Sequence, residues 1–159
     1  MTLLIASGLC DLFDGVVARK LKRTGLEQNF GLQLDTVVDM VSFGVVPAVV
    51  VFAIVGTAWY ALLIYAFFIV CAVVRLAYFN ATVEPNAPPT HYRGLPVTCI
   101  AFILPIVMLF HSEIASLVTL GVFGILFMLY VKIPKPRGVL WNILIPALSA
   151  IIITLWWCL

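Results

Sequence analysis

Asp11-Leu-Phe-Asp14-Gly15-Val-Val-Ala18-Arg19, followed after the eleven residues 20–30 by Gly31-Leu-Gln-Leu-Asp35-Thr-Val-Val-Asp39, sets four carboxylates into two apolar stretches. At about 100° per residue, Asp11, Asp14, Gly15 and Ala18 share one face of a helix, and Gly31, Asp35, Asp39 and Ser42 share one face of another. Placed face to face, two such stripes make a cage of hard oxygen ligands suited to divalent cations. Arg19 closes the first stripe, while Gly15 and Gly31 leave room for a ligand to reach backbone. The pattern is that of a site rather than a core.

The composition around it fixes the class of protein. Of the 159 residues 64% are hydrophobic and only 10% charged, and the mean hydropathy is +1.19. A soluble domain of this size has no use for so much apolar surface, so the expectation is one domain, residues 1–159, forming an all-α integral membrane bundle of about six transmembrane helices. Cys10, Cys71, Cys99 and Cys158 lie in apolar segments without C-x-x-C pairing and read as small buried residues rather than disulfide or metal ligands. Met1 leads almost directly into an apolar run with no basic region or cleavage site, so no signal peptide is expected.

The six apolar segments run at about 2–18, 30–55, 58–79, 95–110, 114–131 and 139–157. Thr24 to Asn29 read as a loop with Gly25 as a helix stop, and Asp35, Asp39 and Pro47 interrupt the second segment. The one long polar loop, about 81–94, holds Pro85, Pro88 and Pro89. Threaded through a bilayer as six spans, all nine Lys and Arg fall on one side, which the positive-inside rule makes cytoplasmic. Trp156 and Trp157 suit the opposite interface. Asp14 lies five residues before Arg19 and Asp35 five after Phe30, so the carboxylates sit one to two turns below the cytoplasmic surface.

An ionisable side chain at that depth costs about 2.5–3.5 kcal/mol on insertion scales, so four of them need partners. Apart from Arg19 the cations cluster at the interface, which leaves metal ions as the counter-charge. Mg2+ typically shares its shell with substrate phosphates. Two such ions would clamp a diphosphate and activate its leaving group, and one carboxylate near an attacking hydroxyl would serve as general base.

The pattern D-x2-D-G-x2-A-R…G-x3-D-x3-D resembles the signature (residues 11–39) of the CDP-alcohol phosphotransferases, membrane enzymes of phospholipid synthesis. Asp35-Thr-Val-Val-Asp39-Met-Val-Ser-Phe-Gly-Val-Val-Pro47, Arg75-Leu-Ala-Tyr-Phe-Asn80 and Tyr92-Arg-Gly-Leu-Pro96 are similar to the phosphatidylserine synthase branch; together the resemblance covers about residues 5–137. It implies that Asp11, Asp14 and Asp35 ligate two divalent ions, Mg2+ or Mn2+. Asp39 would join the metal site and deprotonate the acceptor alcohol, and Gly15, Ala18, Arg19 and Gly31 would line the nucleotide pocket. The implied reaction moves a phosphatidyl group from CDP-diacylglycerol or CDP-archaeol to L-serine and releases CMP, in a homodimer that lipid enters sideways. Two departures stand out. Family members usually carry about eight residues where this chain has residues 20–30, and the resemblance leads to the expectation that the family's amino-terminal helices before the motif helix are lacking.

Arg75, Asn80 and Arg93 are candidates to hold the serine carboxylate or a substrate phosphate, with positive-inside anchoring as the plainer reading. His91 reads as a loop residue, and Lys132, Lys135 and Arg137 as contacts to anionic headgroups. Three other readings compete: a sister transferase accepting glycerol phosphate or inositol phosphate, a cation-translocating membrane protein, and an inactive truncated member. A second acceptor phosphate would call for more cations near the site than Arg75 and Arg93. A translocation relay would need polar residues continuing to the far face. Few and membrane-tracking cations suggest no nucleic-acid partner.

Overall fold

The computed structural model of the chain describes residues 2–18, 24–82, 91–93, 95–129, 132–134 and 154, and the side chains of 2–11, 24–81, 95–129 and 154 among them. Helix α1 is Thr2–Ala18, α2 Gly25–Asp39, α3 Val46–Val55, α4 Trp59–Thr82, α5 Ile100–Met108 and α6 Glu113–Met128. Among the described residues two helical stretches are long and apolar enough to cross a membrane: the 31 residues 25–55 and the 23 residues 59–81. α5 and α6 are apolar but shorter, and the sixth expected segment, about 139–157, lies outside the described residues apart from position 154.

The region expected to be a loop at 24–29 is the start of a helix. Thr24 has extended backbone and caps α2: its hydroxyl accepts from the Glu27 amide at 3.4 Å, and its own amide donates to Glu27 Oε2 at 2.8 Å. That reciprocal pair satisfies two of the amides a helix start leaves bare, so Gly25 opens the helix instead of stopping it.

The second segment, expected as one run over about 30–55 with Asp35, Asp39 and Pro47 set into it, is one continuous helical stretch. α2 runs into a π-helical segment, Met40–Val45, and then into α3. Pro47 explains the wide turn. It has no amide proton, and its ring would clash with the carbonyl four residues back, that of Phe43, in a regular α-helix. Opening the backbone relieves the clash, and the Val46 amide reaches back five residues to the Val41 carbonyl.

Gly56 ends α3 at φ +83°, a conformation open to glycine and strained for other residues. With Thr57 it turns the chain into α4, whose 24 residues contain no Gly or Pro. α4 and α6 form the central contact: the Phe68 and Phe127 ring centroids are 5.8 Å apart, and Phe123 packs edge-on against Phe127. Around them Phe43, Val51, Ala72, Ile100, Ala101, Leu104 and Leu120 are buried. The outward faces stay apolar: Val37, Val41, Val49, Leu63, Val70 and Ile125 are all exposed, a surface matched to hydrocarbon rather than water.

Two further corrections concern the polar side. The expected loop 81–94 is helical through Thr82, and its residues His91–Arg93 form strand β1, paired antiparallel with β2, Lys132–Pro134. The described residues are therefore helical with one short ladder, in the register His91↔Pro134, Tyr92↔Ile133 and Arg93↔Lys132. Of the cysteines, Cys71 is buried as expected and Cys99 half-buried, but Cys10 is exposed because it faces away from the α1 packing surface; Cys158 lies outside the described residues.

Candidate metal centre

Among the described side chains three aspartates meet. Asp11 on α1 and Asp35 and Asp39 on α2 each offer a carboxylate oxygen, and these oxygens all lie within 4.8 Å of one another. Asp11 and Asp39 are half-buried and Asp35 is exposed, so the cluster opens on one side and is walled on the other.

Each side chain owes its place to local packing. Asp35 and Asp39 are one turn apart and so share a face of α2. Asp11 is set by the closeness of α1 to α5: a Cβ added at Gly8, one turn earlier, would stand 3.0 Å from the Ala101 Cβ and 3.1 Å from Phe102 Cζ. Gly8 was not marked by the sequence pattern, because nothing about a lone glycine in an apolar run shows what lies opposite it. On α2, Gly31 is half-buried one turn before Asp35. Asp14, Gly15 and Ala18 continue α1 as helix, but their side chains are outside the described set, as is Arg19 altogether.

The donor set fits a hard divalent cation. Oxygens bound to one Mg2+ at about 2.1 Å stand up to about 4.2 Å apart, and those on Ca2+ up to about 5 Å. A cluster spanning 4.8 Å thus needs only small side-chain rotations to close on an ion. Three carboxylates at such spacing also oppose one another, and a cation between them turns that repulsion into attraction.

The remaining polar candidates stand on α4 and beyond. Arg75 is buried, donates from Nε to the Leu95 carbonyl at 3.1 Å, and lies 6.0 Å from the centroid of the Phe79 ring. Asn80 Nδ2 donates to Thr36 Oγ1 at 2.6 Å, and the Thr36 hydroxyl donates in turn to the Leu32 carbonyl at 2.8 Å. Thr36 is a second residue that the sequence reading passed over, since a threonine in an apolar helix ordinarily satisfies its own hydroxyl on the preceding turn. Arg93 sits in β1 opposite Lys132.

With helices, carboxylates and spacing in place, comparison with known proteins gives the class. Residues 1–133 match the CDP-alcohol phosphatidyltransferase family, and the chain belongs to it. Members are membrane-associated and in general dependent on a divalent metal, in keeping with the apolar helices and the acidic cluster. The chain is 41% identical over 108 residues to the CDP-diacylglycerol–serine O-phosphatidyltransferase of Saccharomyces cerevisiae, a match covering 63% of this chain and 38% of that one. It is 39% identical over 104 residues to the enzyme of the same name from Mycobacterium leprae, covering 60% of this chain and 33% of that one. It is also 28% identical over 139 residues to the archaetidylserine synthase of Methanothermobacter thermautotrophicus, covering 86% of this chain and 58% of that one. The matches thus span from about a third to under two thirds of these relatives' own lengths.

Proposed function

We propose that this chain catalyses transfer of a phosphatidyl group from a CDP-linked lipid to the hydroxyl of L-serine, giving phosphatidylserine and CMP. The observation that carries the proposal is the convergence of Asp11, Asp35 and Asp39 within 4.8 Å in a chain of this family. Relatives named for serine favour serine as acceptor over glycerol phosphate or inositol phosphate. The archaeal relative favours including CDP-archaeol beside CDP-diacylglycerol as donor.

In this reading Asp11, Asp14, Asp35 and Asp39 hold two divalent ions, Mg2+ or Mn2+. When bound, the ions neutralise charge on the diphosphate and on the departing CMP. Asp39, half-buried as Asp11 is, takes the proton from the serine hydroxyl. The serine oxygen forms a new bond to the lipid-bearing phosphorus, and the bond from that phosphorus to the CMP oxygen breaks. Gly15, Ala18, Arg19 and Gly31 line the cytidine pocket, where the small residues allow the nucleotide close to the helices. Arg75 Nε and Asn80 Nδ2 already donate to protein oxygens. We assign the serine carboxylate to Arg93, whose guanidinium suits a bidentate grip.

The same reading makes the chain a six-span protein with its site on the cytoplasmic side, working as a homodimer. Charge placement supports that orientation, since all nine Lys and Arg fall on the side of the acidic cluster in the six-span threading. A cation relay is less well supported, because the ten residues of α3, which lead away from the cluster, are all apolar.

The test is CMP release by the chain in lipid nanodiscs, with CDP-diacylglycerol or CDP-archaeol, with and without L-serine, Mg2+ and Mn2+. Release that needs both serine and metal, and is lost in Asp39→Ala, is the expected result. Release that follows glycerol phosphate or inositol phosphate instead would overturn the acceptor, and metal-independent release would overturn the mechanism.

A further inference from the structure

The buried face of α4 passes through Ala61, Tyr65, Phe68, Ala72 and Leu76, and the next position on that stripe is Asn80. A carboxamide in line with a packing stripe is there to meet a polar partner, and the partner is on another helix. Thr36, 44 residues away in sequence, accepts its amide proton at 2.6 Å. The roles are fixed by the rest of the chain of contacts. Thr36 spends its own proton on the Leu32 carbonyl, so its oxygen faces Asn80 as an acceptor.

The place of this bond matters more than its strength. Thr36 directly follows Asp35 and precedes Asp39 by one turn, and α2 buries none of its residues 25–39. Apolar packing therefore fixes α2 only through its continuation into Met40–Val45 and α3, whereas α4 is anchored along its length by its contact with α6. Two of the three clustered carboxylates ride on the loosely packed helix and the third on α1. A hydrogen bond from the anchored helix to the middle of the acidic stretch sets the azimuth and height of Asp35 and Asp39.

We propose that Asn80 is a positioning residue for the acidic cluster: through the Thr36 hydroxyl it holds α2 so that Asp35 and Asp39 stay within cation-sharing distance of Asp11. The assignment rests on the reading of that cluster as a metal centre. It gives Asn80 a duty different from contact with the acceptor alcohol, and gives Thr36 a duty the motif spacing does not.

Mn2+ binding to the whole chain in nanodiscs, followed by the EPR signal of free Mn2+, tests this, with the serine KM of CMP release as a second readout. Asn80→Ala and Thr36→Val, the second preserving shape, should each weaken Mn2+ binding roughly three- to tenfold, the range expected for losing one hydrogen bond. The double variant should be no weaker than either single one, because both remove the same contact. Thr36→Ser, which keeps the hydroxyl, should bind as the parent does, and the KM for serine should be unchanged in all four. Additive losses, or a raised serine KM with parental Mn2+ binding in Asn80→Ala, would overturn the positioning role. Parental chain that holds no Mn2+, or holds it equally well as Asp11→Asn, would instead overturn the metal centre itself and the positioning role with it.

Discussion

Gly8→Ala tests whether the spacing of α1 and α5 sets the metal centre. The added Cβ would lie 3.0 Å from the Cβ of Ala101, which is fully buried and tied to the α5 backbone, so neither atom can swing aside. Ordinary contact begins near 3.4 Å, and α1 must retreat by about 0.4 Å to reach it. Asp11 is three residues further along a rigid helix and moves with it. Functional groups are held to about 0.5 Å, and about 1 Å of misplacement can cost about a hundredfold, so this shift should cost about tenfold in metal affinity and in kcat/KM. Stability should fall by no more than about 2 kcal/mol. Overpacking costs about 1–3 kcal/mol, and replacing a mid-helix glycine by alanine returns about 1 kcal/mol. The assay pairs half-saturating Mn2+ for CMP release with the midpoint of thermal unfolding. Gly25→Ala is the control, since a Cβ there meets nothing within 4 Å. Gly8→Ala with the parental metal requirement would refute the reasoning, as would a rate loss at unchanged metal affinity.

Other perturbations have more local outcomes. Thr24→Ala removes the cap of α2 and should cost about 1 kcal/mol, read as a lowered unfolding midpoint, with Thr24→Ser close to neutral. Arg75→Lys keeps the charge but loses the flat fork that serves the Leu95 carbonyl and stacks near Phe79; it should destabilise the chain by about 1–3 kcal/mol in the same measurement, with the serine KM unmoved.

Much of the site was legible in the residues because carboxylates in apolar helices are costly enough to need a reason. Asp11, Asp35 and Asp39 were expected together on that ground and are together. The helices themselves followed from hydrophobic runs, with the turn at Gly56–Thr57 where expected and the one expected at 111–113 lying slightly earlier, at 109–112, since Glu113 already opens α6. What escaped falls into two kinds. Thr24 and Glu27 were readable as a capping pair, yet the polar run 24–29 and its glycine were taken at face value, and local hydrogen bonding overrode that impression. The π segment, the Gly8 contact, the Asn80–Thr36 bond and the pairing of 91–93 with 132–134 depend on what tertiary packing brings opposite. No periodicity along one segment reports its neighbour in space. Proline at position 47 signalled a disturbance, but not that the helix would widen to absorb it.

The widened turn at Met40–Val45 has a consequence for how this chain can change length. A π turn in effect carries one residue more than an α turn, so losing a single residue there would let the backbone relax toward regular helix at little cost, once Pro47 is accommodated. Five residues of α-helix turn through about the same angle as six of π-helix, so the flanking segments would keep their phase. The acidic stripe of α2 would still face α1 while α3 kept its seat against the core. A one-residue deletion is therefore best absorbed within Met40–Val45, whereas the same deletion in the regular helix on either side would turn the acidic stripe of α2 by about 100° against the buried face of α3.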